Sequence, residues 1–312
     1  MKGQQVDGVL PVDKPQGKTS HDVVAEARRL FGTRAVGHAG TLDPMATGVL
    51  LLLFGEACKL SNYLTAEYKT YRARVRFGAS TDSLDADGRV LESVELAPSW
   101  LSEEALESAL RVERCRLEQV PPAVSAIHSD GERAHVRARR GEAVELPPRP
   151  VAVRELRLLR REAHELELEL CVSKGYYVRS LARDLGSSLG QPAHLSALRR
   201  LSSGAFTLAH SVAWPCVERP SLMPTVEAAC RALPVLRLTE SGVLFARQGK
   251  RLGPEQVKTP AAPAELPPIQ AKGTELEREP QVSVWLSPAG ELVALGTWDG
   301  ERHRVVRGFA SN

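Results

Sequence analysis

The chain has 312 residues, 43% apolar and 25% charged, which predicts an ordinary globular protein of two domains and excludes a fibrous or low-complexity chain. A net charge of +3 does not by itself announce a polyanionic partner. Cys58, Cys115, Cys171, Cys216 and Cys230 are too scattered for a zinc site or a secreted disulfide scaffold; with residues 1–8 polar and no apolar run long enough for a bilayer, they predict a cytoplasmic protein with reduced thiols.

Thr19 or Ser20, followed by Asp22 and then Val23, Val24, Ala27, Leu30 and Phe31, predicts a capped amphipathic helix ending at Gly32. Residues 37–49 then crowd three glycines, a proline and two threonines around one carboxylate, Asp43, before an apolar run to Phe54 that reads as a buried strand. Asp43 thus sits in a loop at the edge of the core, where functional groups concentrate. Pro44 restricts its backbone to extended conformations. Asp-Pro among glycines is also common turn chemistry, so a turn residue and a catalytic carboxylate are both open. Residues 56–64 predict a second short helix with Ala57, Leu60 and Leu64 inward.

Tyr71 to Phe77 alternates, with Tyr, Ala, Val and Phe on one face and three arginines on the other. Alternation alone makes Tyr71 a core aromatic. Residues 83–88 faintly resemble a calcium loop, but the first position is not acidic and Val94 occupies the place of the bidentate Glu, so they read as a polar loop. A helix is predicted over 102–111, a strand over 121–127 entering an Asp130-Gly131 turn, and an Arg-rich helix from there to Gly141. Arg133, Arg137, Arg139, Arg140, Arg149, Arg154, Arg157, Arg160 and Arg161 suit phosphate contact, although Glu142, Glu145, Glu155 and Glu162 interleave. Strands over 151–159 and 165–172 form a pair, and a helix through Leu181, Leu185 and Leu189 ends near Gly190.

Residues 254–280 carry six prolines and few large apolar side chains, a composition expected of a flexible insertion. Beyond it, segments 282–286 and 292–296 flank a Pro288-Ala289-Gly290 turn, and an Asp299-Gly300 turn leads into 303–309. Short strands with tight turns predict a small β domain.

The chemistry on offer is spare. No second acid stands beside Asp43, no His/Glu pair has metal-ligand spacing, and there is no P-loop or GxGxxG motif. The expectation is catalysis without metal or cofactor, covalent or acid/base, at a sugar C1′.

Five motifs carry a resemblance: Val12-Asp13-Lys14-Pro15-Gln16-Gly17-Lys18-Thr19-Ser20, the Gly37–Leu53 stretch, Lys69-Thr70-Tyr71, Ser173-Lys174-Gly175-Tyr176-Tyr177-Val178-Arg179 and Leu198-Arg199-Arg200-Leu201-Ser202-Ser203-Gly204. Together, over about residues 8 to 210, they closely resemble the TruB family of pseudouridine synthases. The resemblance implies an α/β (α+β) fold: a mixed-sheet catalytic domain over 1–232 and a small C-terminal β domain of PUA-like type over 233–312, with the 254–280 insertion inside it. It implies isomerisation of the T-loop uridine of tRNA, position 55, by flipping the base. No cofactor or metal, a tRNA T-arm as partner, and a monomer are expected. Asp43 matches the family's essential aspartate, Tyr71 the tyrosine that stacks on the target base, and Arg179 the arginine that pairs with the aspartate. His38, in the Asp43 loop, matches the histidine that contacts the flipped nucleotide. Tyr177 lies in the Arg179 motif, Lys14 and Pro15 match the motif that braces the site, and Leu198 and Arg200 match the one that completes the pocket wall and the RNA contact. Without the family, His38 reads as a structural loop histidine, Arg179 as a helix surface cation and Lys14 as a solvated turn. His128 and His135 depart from the family's Lys and Tyr, so RNA contact there could depend on pH. A guide-RNA-dependent synthase, a non-catalytic RNA-binding or tRNA-folding protein and a nucleoside hydrolase are the alternatives.

Overall fold

Period-two alternation in the most apolar strand sets the architecture. Thr47–Phe54 is buried at every position but the first, and its two faces belong to two different cores. Leu50, Leu52 and Phe54 pack with Val23, Val24, Ala27 and Phe31 of one helix, Leu106 and Leu110 of a second and Leu181 and Leu185 of a third. Val49, Leu51 and Leu53 face the other way, against Ala57, Leu60, Leu64, Ala228 and Ala229. A strand covered on both faces reads as a continuous apolar run.

The computed structural model describes residues 6–310 apart from 67, 98, 125–127, 130–131, 134–145, 217–218 and 259–281. Its main sheet has nine strands. Gly8–Lys14 runs antiparallel along one edge of Thr47–Phe54, while Ala193–Ser203 (parallel) and Val36–Ala39 (antiparallel) share the other. Beyond Ala193–Ser203 come Lys69–Phe77, Glu165–Val172 and Val153–Arg161, each antiparallel to its neighbour. Val212–Ala213 adds a parallel pair on Gly8–Lys14. The mixed α/β architecture expected from sequence is observed.

Local signals appear where they were read. Thr19 caps the Ser20–Phe31 helix in a reciprocal box with Asp22, and Gly32 closes it in the left-handed region at φ 64°. Tyr71, Ala73, Val75 and Phe77 are buried while Arg72, Arg74 and Arg76 are exposed. Ser102 caps a helix over Glu103–Arg114.

A five-stranded sheet, Val257–Lys258, Val235–Leu238, Val282–Leu286, Leu292–Trp298 and His303–Gly308, closes the chain. Its Val284, Leu286 and Leu295 join the same apolar cluster as Leu51 and Leu53. Removing that apolar surface from water ties the small sheet to the large one.

Three expectations need correction. His38 lies in the Val36–Ala39 strand, opposite Leu52, not in the Asp43 loop. Residues 121–124 are not a strand, because each of Pro121 and Pro122 lacks an N–H to give to a ladder; the Arg-rich helix expected before Gly141 lies mostly outside the described residues, as does His135. Residues 254–258 are not part of a flexible insertion. Pro254–Gln256 forms a short turn of helix and Val257–Lys258 pairs with Val235–Leu238, since buried Leu252 and half-buried Val257 pack on the Trp285 core; composition averaged over the window hid them. The remainder, from 259 to 280, lies outside the described residues.

Candidate active site

The Asp43 loop is held by backbone bonds from every side. The Ser20 hydroxyl donates to the Leu42 carbonyl and accepts its N–H, at 3.1 and 2.9 Å. Pro44 O accepts Gly17 N–H at 2.8 Å and the Lys14 ammonium at 3.3 Å. From the opposite flank, Arg200 donates to Gly40 O, Thr41 O and Val49 O. Lys14 and Arg200 are 0% and 1% exposed, so both cations lie beneath the loop and neither is a surface contact. Lys14, expected to brace the site, and Arg200, expected at the pocket wall and RNA contact, both hold the loop from beneath. Burial pushes the Lys14 ammonium down to about 8, against the pull of Asp43.

Close approach dictates glycine at position 48. Its φ is +104°, and a Cβ there would stand 2.1 Å from the Arg200 carbonyl oxygen, at the point where the Thr47–Phe54 and Ala193–Ser203 strands pair.

Into this loop reaches Arg179, from the second residue of the Val178–Ser188 helix. Its Nη2 donates to Asp43 Oδ1 at 3.2 Å, and its Nε lies 3.0 Å from Oδ2 as a charge contact without hydrogen-bond geometry. The Arg179 side chain is 6% exposed against 34% for Asp43, so the cation sits inside and the carboxylate at the mouth. Burial raises the Asp43 carboxyl above its ordinary range; Arg179 and Lys14 oppose the rise and Asp85 adds to it.

Asp85 is the residue that sequence reasoning missed. It is buried, and its Oδ2 lies 3.7 Å from Arg179 Nε. Arg179 also donates to Ser83 O at 2.9 Å. Ser83 Oγ and Asp87 N–H donate to Asp85 Oδ1, and Leu84 between them is left-handed at φ 65° without being glycine. The loop is stitched to the main sheet by Ala86 N–H on Leu195 O and Leu195 N–H on Leu84 O. The one available signal was an acid in a polar turn.

The other expected residues surround this centre. Tyr71 is buried in the apolar cluster that also holds Leu42, Met45, Tyr176, Val178 and Leu198. Tyr177 is half-buried at the start of the Arg179 helix, and Pro15 is half-buried beside Lys14. His38 meets His21 edge-to-face at 5.5 Å, and its Nδ1 is buried with no partner among the described residues. Burial first, then His21 and Arg200, push its imidazole down to about 4. Of the Arg-rich stretch, Arg157 pairs with Glu155 and Glu169, Arg160 with Glu162 and Arg161 with Glu103, exposed pairs too weak to decide whether phosphate would displace them. Among the described residues no group of three His, Cys, Asp or Glu could hold a metal ion, and no helix is long and apolar enough to cross a membrane.

Comparison with known proteins decides the family. A model of the TruB family pseudouridylate synthase N-terminal domain matches residues 28–178. The tRNA pseudouridine synthase B of Leifsonia xyli subsp. xyli is 41% identical over 312 residues, covering 98% of this chain and 97% of its own. The chain belongs to the TruB family of pseudouridine synthases. It is therefore an isomerase. Other TruB relatives of the same description include that of Thermobifida fusca, 44% identical and covering 80% of this chain and 87% of its own, and that of Mycobacterium tuberculosis H37Rv, 43% identical over 78% and 84%. Among solved structures, a Cbf5-Nop10-Gar1 complex matches with a TM-score of 0.70 at 22% identity, over 97% of this chain and 84% of that one. An H/ACA RNP bound to a substrate RNA containing 2'-deoxyuridine matches at 0.67 and 22%, over 97% and 85%. These two speak for the pseudouridine-synthase fold alone.

Proposed function

We propose that this enzyme converts the T-loop uridine of tRNA, position 55, to pseudouridine, in the cytoplasm, as a monomer and without a cofactor. The observation that carries the reading is the Asp43–Arg179 ion pair, a single carboxylate in a braced loop with a buried cation behind it. The tRNA substrate is supported by relatives at 41–44% identity described as tRNA pseudouridine synthase B.

The uridine leaves its stack and Asp43 meets its ribose. The C1′–N1 bond breaks as the carboxylate attacks or stabilises the positive charge at C1′. The uracil turns while held, C5 bonds to C1′, and the proton lost from C5 balances the one gained at N1. Arg179 orients the carboxylate and favours its ionised form. Tyr71 stacks on the uracil, with Leu198 and Tyr177 as walls, His38 contacts the extruded nucleotide, and Pro15 abuts the loop that Lys14 and Arg200 brace. The catalytic unit spans 1–232, and residues 233–312 form a PUA-like RNA-binding unit.

The test is pseudouridine mapping in an unmodified tRNA transcript incubated with purified protein alone. Pseudouridine at position 55 is expected. A requirement for an added guide RNA would move the enzyme to the guide-dependent class, free uracil would make it a hydrolase, and tRNA binding without conversion would leave an RNA-binding protein.

A further inference from the structure

The helix that delivers Arg179 begins at Tyr177, whose own side chain does not cap it. Another element supplies the cap. Gln119, 2% exposed, accepts the Tyr177 N–H on its Oε1 at 2.8 Å. That bond orients the amide, because the NH2 end cannot accept from an N–H. Its Nε2 has no partner among the described residues, so the side chain is buried at a cost that the oxygen end must offset.

Neighbouring bonds run the same way. Val120 O accepts Ser180 Oγ and Arg183 Nη2, both at 2.9 Å. Glu113, 1% exposed, accepts the Tyr176 hydroxyl and Arg116 Nε, each at 2.7 Å. Tyr177 and Ser180, flanking Arg179, are thus tied to Gln119 and Val120, while Arg179 turns the other way to Asp43 and Asp85.

We propose that Gln119 is a positioning residue for the isomerisation: by capping the helix from outside, it sets where the Arg179 guanidinium meets Asp43. This rests on the reading of Asp43 and Arg179 as reaction groups. The Nη2–Oδ1 bond, the one hydrogen bond of this ion pair, is already 3.2 Å long, so a small slide of the helix start breaks it, and a misplacement of about 1 Å can cost up to about a hundredfold in rate.

The experiment uses the full chain and single-turnover conversion of an unmodified tRNA transcript. Gln119→Met keeps the length and burial but removes the acceptor; Gln119→Glu keeps an acceptor oxygen in either protonation state. Gln119→Met is expected to slow conversion about tenfold with tRNA affinity changed less than about twofold, and Gln119→Glu to restore most of the rate. In an Arg179→Ala background the Gln119→Met effect should vanish. A wild-type rate for Gln119→Met, or an equal loss in both backgrounds, would overturn the positioning role. If the Met variant does not fold, Gln119→Asn, which withdraws the amide by one methylene, is judged by the same criteria. Arg179→Ala at the wild-type rate would instead overturn the underlying assignment of the site.

Discussion

Asp43 and Asp85 share one guanidinium: Arg179 Nε lies 3.0 Å from an oxygen of the first and 3.7 Å from an oxygen of the second. The Asp85 charge raises the Asp43 carboxyl, while the two acids fix the cation from two directions. Asp85→Asn keeps the shape and removes the charge. It should lower conversion about tenfold, because Arg179 loses an anchor. Its repulsion on Asp43 is lost too, so the acid limb of the rate profile should move to lower pH. Single-turnover rates across pH read both effects; an acid limb that stays put would remove Asp85 from the electrostatics of the site.

Arg179→Ala withdraws the cation that opposes the burial of Asp43. The carboxyl, already above its ordinary range, should rise further, so the rate should fall about 10²- to 10³-fold near neutral pH and recover partly as pH increases. Asp43→Asn should abolish conversion at every pH. Filter binding should show tRNA affinity near wild type for both, which separates chemistry from binding.

His38 makes an acid-stability prediction. Its imidazole is held at about 4 against an ordinary 6.5, so between those values the unfolded chain takes up the proton and the folded one does not. Stability must therefore fall as pH drops through that window. The full shift corresponds to about 3 kcal/mol, and to less because the ring is only partly buried. Urea unfolding of wild type and His38→Gln at pH near 7 and near 5 should show the wild type losing more on acidification; parallel losses would mean that His38 titrates normally.

Gly48 is a packing prediction. With φ +104° and only 2.1 Å between a Cβ and Arg200 O, Gly48→Ala forces apart the strand pair that flanks the Asp43 loop. We expect a loss of about 4 kcal/mol or more, seen as insolubility or a collapsed urea midpoint. Gly290→Ala, also at positive φ but with open space around it, should cost far less.

Much of the molecule was determined by local sequence. The reciprocal Thr19–Asp22 cap, the alternation of Tyr71 to Phe77 and the apolar run to Phe54 are short-range patterns, and propensity and period decide them without distant help. The loop status of Asp43 followed in the same way, since Pro44 and its glycines act on their immediate neighbours. Distance in sequence hid the rest. Asp85 meets Arg179 across a chain separation that no local pattern spans, and Gln119 meets Tyr177 likewise. Nothing local in the sequence puts Arg200 under the loop; the parallel pairing of its strand with Thr47–Phe54 does so. Which cations face water and which are sealed against carbonyls depends on where strands from opposite ends of the chain lie side by side, and that is settled by burial of apolar faces across the whole sheet.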